Sequence, residues 1–311
     1  MNAEKNRSGR GLAAAQAASG GRFALHERMM AEARRIIDAA REVKALLRLT
    51  GGLAVRHHCT DLLFADRDYG DIDMVGLRRQ TSRLRELFAR LGFRENPHVA
   101  TATQGSQRQY FRRSGSFASR THTTGEPRPA LPAPVEHVAD HVDVFLDQMK
   151  MDHVIVLRER LQIDDYAISA SDAFVTKLQI FRLNRKDIHD VVALAKDVPP
   201  GRDDRPAVIN LAYIAKLCAD DWGLYIDVLA NIEKCLAALP AFDLPDADYD
   251  RVTSTLTGAQ AAISGAAKTL RWRFRSTIGR RMAWRREVEE TGAASRPYED
   301  IWGVTDGEYP G

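Results

Sequence analysis

Cysteine is scarce in this chain: three in 311 residues, at Cys59, Cys218 and Cys235. An odd number of widely spaced thiols argues against a disulfide framework and for a reducing, cytoplasmic setting. Long apolar runs are missing as well. No stretch approaches the roughly 18–20 residues that a bilayer span needs, so no membrane partner is expected. The first residues carry charges without an apolar core, which does not fit a secretory signal. Nor is there a strong charge of one sign; the formal net charge of +3 selects no class of partner. What remains is 44% hydrophobic and 28% charged residues, the balance of a soluble globular protein. The length predicts two domains.

Residues 1–21 are small and polar with nothing to pack, and read as a disordered arm. From Phe23 to about Lys44, Leu25, Met29, Ala33, Ile36 and Ile37 recur at helical steps. "ALLRLT" reads as a short strand ending at Gly51-Gly52, and "LAVRHHC" as the start of a helix. "DIDMVGL" alternates as a strand, with Asp71, Asp73 and Val75 on one face. A helix follows from about Gln80 to Leu91 and closes at Gly92. "SQRQYFRR" and "HVDVFLD" are further strand candidates, separated by a mobile loop at 113–136 rich in Ser, Thr, Gly and Pro. Shorter strand-like pieces fall at 154–157 and 166–169. From Asp172 onward the pattern is almost wholly helical, broken at Pro199-Pro200-Gly201 and at Pro240. The fold expected is α+β: a mixed sheet with flanking helices over 22–165, a helical C-terminal domain over 166–292, and a tail at 293–311.

Carboxylates are costly to bury unpaired, so Asp71 and Asp73 inside an apolar strand demand a reason. At i and i+2 they share a face, roughly 6–7 Å apart along the strand. That spacing lets them hold hard divalent cations such as Mg²⁺. Asp143 lies in a second alternating strand, and if the two strands are neighbours the three carboxylates converge. Gly51-Gly52, between strand and helix, would let backbone approach phosphate oxygens at a helix N-terminus.

These motifs, "TGGLAVRHHC", "RDYGDIDMVG", Asp143 and "TKLQIFRLNRKDIHDVVAL", resemble the nucleotidyltransferase (polymerase β-like) superfamily. Within it they are most similar to the AbiEii-type toxins and related minimal bacterial nucleotidyltransferases, over roughly residues 45–195. The resemblance implies that Gly51 and Gly52 cradle the triphosphate of an NTP such as ATP, and that Asp71, Asp73 and Asp143 hold Mg²⁺. It further implies that Lys177 reaches the phosphates from the helical domain, that Asp187 supports the active site with Asp190 close by, and that Arg67 helps neutralise phosphate. Tyr69, where a small hydroxyl residue is common, and Gly52, where Ser occurs, depart from the pattern. The function implied is transfer of an NMP to an acceptor hydroxyl, toxin-like, on tRNA or protein, with an antitoxin as a further partner. A small-molecule acceptor, as in aminoglycoside nucleotidyltransferases, and a catalytically silent nucleotide-binding module are the alternatives.

Other features carry less. His57 and His58 are adjacent and should diverge on a helix, and His137 and His141 lack a third zinc ligand in sequence. Cys59 reads as packing. The segment 268–286 holds eight Lys or Arg and no acidic residue, interleaved with Trp272, Phe274 and Trp284. It is either a nucleic-acid surface or an amphipathic helix burying Leu270, Phe274, Ile278 and Met282. The Arg112–Arg113 pair and the loop after it could join that surface or act as a lid.

Overall fold

The structure, a computed structural model, describes residues 2–112 and 141–285, with residues 2–19 as backbone only. The loop expected at 113–136, His137 and the tail at 293–311 lie outside the described residues.

Helix α1 (Asn2–Glu42) precedes strand β1 (Leu47–Leu49), helix α2 (Gly51–His58) and strand β2 (Ile72–Gly76). Next come α3 (Thr81–Arg90), β3 (Arg94–Glu95), α4 (Pro97–Ala102) and β4 (Gln107–Phe111). After the loop, β5 (His141–Leu146) leads into a hairpin of β6 (Gln148–Lys150) and β7 (Val154–Val156). The helical half holds α5 (Ala170–Leu178), α6 (Arg185–Asp197), α7 (Leu211–Asp220), α8 (Trp222–Ala238), α9 (Asp246–Gly265) and α10 (Leu270–Ile278). Two short strands, β8 (Pro200–Gly201) and β9 (Ile209–Asn210), pair between α6 and α7.

The chain is therefore α+β, and its main sheet is mixed, in the order β1-β2-β5-β4-β3. Strand β2 runs parallel to β5 and antiparallel to β1, while β4 is antiparallel to β5. One face of the sheet is apolar for a simple reason. Ile72, Met74, Val142 and Val144 alternate inward and are buried, as period-2 patterning requires. Against them pack Leu84, Leu87 and Phe88 of α3 and Met29, Ala33, Ile36 and Ile37 of α1.

Two expectations need correction. The segment read as a disordered arm continues α1 back to Asn2. Its run of alanines gives it the strongest helix former of all, which a reading based only on missing core contacts overlooks. The strand expected at 166–169 is no more than an isolated bridge, Leu49 to Ala167, at the sheet's edge. The boundary expected between 165 and 166 falls in the loop between β7 and α5, yet the buried side chains form a continuous core across it, from Met29 to Ile263.

Candidate metal and nucleotide site

Parallel register does what the sequence left conditional. Ile72 pairs with Val142 and Asp73 pairs directly with Asp143. The neighbouring strands thus bring Asp71, Asp73 and Asp143 to one end of the sheet. The same register sets Asp71 level with His141, a residue considered in the sequence only as a zinc ligand with His137 and not as a member of the acidic cluster. The signal was present: "HVD" in an alternating strand puts His141 on the face of Asp143. Ligand atoms of Asp71, His141 and Asp143 all lie within 4.8 Å of one another.

The end of β1 closes the site from the other side. The Thr50 amide donates to the Asp73 carbonyl oxygen at 2.9 Å, and the chain turns at Gly51 with φ +64°. A β-carbon at Gly51 would collide with the Asp73 carboxylate, and one at Gly52 with the Arg67 guanidinium. Gly51 is required for its left-handed backbone as well, whereas a side chain at Gly52 would have to displace the Arg67 guanidinium. Helix α2 opens here with no side-chain cap on Thr50 and no acidic residue in its first turn. The helix brings no acidic residue of its own to its first turn, and the carboxylate at this end is that of Asp73, against Gly51.

Charge is unevenly balanced. Burial, reinforced by the Asp71 and Asp143 carboxylates, pushes the Asp73 carboxyl up to about 7, against the pull of Lys177 and His141. The neighbouring Asp143 carboxylate lifts the His141 imidazole above its ordinary value despite partial burial. Asp143 Oδ1 is buried and has no hydrogen-bond partner among the described residues. Asp71, His141 and Asp143 form a group that could hold a metal ion, with one buried Asp143 oxygen unpartnered among the described residues and Asp73 beside them.

Lys177, Arg67, Asp187 and Asp190 form a second layer. Arg67 donates from Nε and Nη2 to the two Asp190 oxygens, each at 2.7 Å. Lys177 Nζ sits 2.9 Å from Asp187 Oδ1 and 2.9 Å from Asp190 Oδ2. Burial would lower the Lys177 ammonium, but Asp187 and Asp190 outweigh it and hold the group charged. Asp187 stands apart from the acidic cluster: it is the third residue of α6, in a capping box with Asn184, and meets the site through Lys177. Tyr69 stacks under Arg67 at 4.5 Å and donates to the Ala65 carbonyl. It supports the guanidinium rather than contacting the cluster.

His57 and His58 do not diverge. With Asp164 they form a second group whose ligand atoms lie within 4.8 Å, because α2 ends at His58 and the 160–168 loop folds back on it. His58 and Asp164 of this group are satisfied internally, whereas His57 Nδ1 is buried with no hydrogen-bond partner among the described residues. His58 Nε2 contacts the Ile168 carbonyl at 2.7 Å, and Asp164 Oδ1 accepts from the Tyr166 and Ala167 amides. Cys59, Cys218 and Cys235 are free and buried, as packing residues are.

The basic helix α10 reverses the expected amphipathic packing. Leu270, Phe274 and Met282 are 82%, 72% and 59% exposed. The inward face is instead Trp272, edge-on to Tyr225, and Arg275, stacked on Trp222. Trp284 also packs on Trp222, and Arg285 is held by both oxygens of Asp227. No residue of α10 is buried; Trp272 and Arg275 are half-buried, and aromatic and cation–ring contacts to α8 hold that face. No described helix is long and apolar enough to cross a membrane. No family model, curated protein or solved structure matches the chain.

Proposed function

We propose that the chain is a nucleotidyltransferase of the polymerase β-like type, moving an NMP from an NTP to an acceptor hydroxyl with Mg²⁺. The observation that carries this reading is the in-register pair Asp73–Asp143 on parallel neighbours, with Asp71 beside it and the Gly51 turn directly above Asp73. When bound, the cation would screen the triphosphate, ease the loss of the hydroxyl proton and stabilise the pyrophosphate leaving group. Asp71, Asp73 and Asp143 would hold it. The Gly51-Gly52 amides at the start of α2 would bind phosphate oxygens, and Lys177 would add positive charge from α5. Arg67 keeps Asp190 neutralised, so that Lys177 is shared between fewer carboxylate charges. Positioning and fixed electrostatics account for the acceleration in this scheme.

The outward face of α10 supports RNA among the acceptors. Exposed Arg271 and Arg273 flank Phe274, a pairing of cations with an open ring that suits phosphates and unstacked bases. Arg271→Glu with Arg273→Glu is expected to weaken tRNA binding at least about tenfold and to flatten its salt dependence. A filter-binding titration at several salt concentrations measures both.

The reading is tested by label transfer from each α-³²P NTP, with Mg²⁺, into tRNA, total protein and a panel of aminoglycosides. Label in one pool identifies the acceptor class. NTP binding without label in any pool would favour the silent module. Gly51→Ala is expected to lower transfer at least about a hundredfold, since it adds about 1–2 kcal/mol of backbone strain and displaces Asp73. Gly70→Ala, whose β-carbon meets nothing within 4 Å, should leave transfer unchanged.

A further inference from the structure

His141 belongs to none of the motifs that carry the nucleotidyltransferase reading, yet it completes the carboxylate cluster. Parallel pairing sets Asp73 opposite Asp143 and Ile72 opposite Val142, so the next step outward sets Asp71 opposite His141. Four polar side chains thus occupy a two-by-two square at the end of two adjacent strands, and only one of them is not a carboxylate. We propose that His141 is a direct ligand of the cation held by Asp71 and Asp143, making this a mixed nitrogen–oxygen site. The proposal rests on reading the cluster as a cation site, and needs nothing of the nucleotide.

Three observations support it. His141 Nε2 lies 3.4 Å from Asp143 Oδ2 and 3.7 Å from Asp71 Oδ2. Both separations exceed the roughly 2.7–3.2 Å of a good N–H···O bond. They lie close to the ligand–ligand edges of about 3–3.5 Å that follow from metal–ligand bonds of about 2.0–2.2 Å. The second observation is Asp143 Oδ1, buried and without a hydrogen-bond partner among the described residues. Its other oxygen faces His141 at 3.4 Å, so among the described residues neither carboxylate oxygen makes a short hydrogen bond. The third is access. Asp71 and His141 side chains are 46% and 33% exposed, so an ion can enter without the fold opening.

A nitrogen donor changes which ion the site prefers. Mg²⁺ takes oxygen ligands and dehydrates reluctantly, whereas first-row divalent metals gain from an imidazole ligand, Mn²⁺ least and the later ones increasingly. The site should therefore bind Mn²⁺ more tightly than Mg²⁺, even where Mg²⁺ supports the reaction.

Mn²⁺ itself is the probe. Free Mn²⁺ is titrated by its electron paramagnetic resonance signal in the absence of nucleotide, and the bound ion is examined by electron spin-echo envelope modulation for ¹⁴N. The wild-type chain should show imidazole nitrogen modulation. His141→Gln, at a partly exposed position that can accept the amide, should bind Mn²⁺ at least about tenfold more weakly and lose the modulation. His57→Gln should keep it, which excludes the His57–His58–Asp164 group as its source. Bound Mn²⁺ without nitrogen modulation in wild type, modulation that persists in His141→Gln, or no Mn²⁺ uptake at all would each overturn the proposal. Mn²⁺ held through His141 by a chain that binds no NTP would remove the nucleotide reading and leave the ligand assignment standing.

Discussion

Asp73→Asn will cut label transfer by about three orders of magnitude while making the metal-free chain more stable. The two effects share one cause. Asp73 lies across the ladder from Asp143 and under the Gly51 turn, with its carboxyl pushed up to about 7 by burial and by Asp71 and Asp143. Without a cation, ionising Asp73 opposes folding; with one held as proposed, that same charge would attract it. Removing it forfeits several kcal/mol of metal-ligand and transition-state electrostatics, and each 1.36 kcal/mol is about a factor of ten in rate. It also relieves like-charge crowding in the absence of metal. The pH dependence follows with a definite sign. An Asp raised from 3.8 to about 7 binds its proton more tightly in the folded than in the unfolded chain. Between about pH 4 and 7, metal-free stability should therefore fall as pH rises, and level off above about 7. Thermal melts in chelator from pH 5 to 8 should show this slope for wild type and a shallower one for Asp73→Asn. An unchanged Tm, or transfer retained by the variant, would remove Asp73 from the metal site.

Asp190→Ala is expected to be the most destabilising single change near the site, by about 3–5 kcal/mol. Asp190 is buried, receives two hydrogen bonds from Arg67 and touches Lys177 Nζ at 2.9 Å. Burial would raise its pKa, but Lys177 and Arg67 reverse that and keep it charged. Truncation leaves Lys177 with Asp187 alone and Arg67 without its carboxylate partner, so the desolvation cost of the guanidinium goes uncompensated. Urea denaturation should show the midpoint falling with an unchanged slope. Asp187→Ala should cost less, because Asp190 still serves both cations, although the α6 capping box is lost with it. Equal losses in the two variants would mean that Asp190 does not anchor both.

The sheet half of the fold was largely readable because its signals are local. Alternation in "DIDMVGL" and "HVDVFLD", the Gly51-Gly52 turn and the stripe Leu84, Leu87, Phe88 all reappear in β2, β5, the start of α2 and α3. Very short strands such as β3, β8 and β9 carry too few residues for a period to show. The face that α10 turns inward was misjudged for a different reason. Leu270, Phe274 and Met282 satisfy a helical stripe, but which stripe turns inward depends on what the neighbours offer, here Tyr225 and Trp222.

By itself the sequence determined the α+β class, the acidic positions and the glycines beside them, since alternation and turn chemistry act over a few residues. Only the tertiary structure decided that β2 and β5 are parallel neighbours in register. That single pairing places Asp73 opposite Asp143 and sets His141 level with Asp71. It also decided that Asp187 and Asp190 hold Lys177 and Arg67 rather than joining the acidic cluster. Strand pairing and ion pairing join residues far apart in the chain, and their partners are chosen by burial and charge balance across the whole core, which no local pattern encodes.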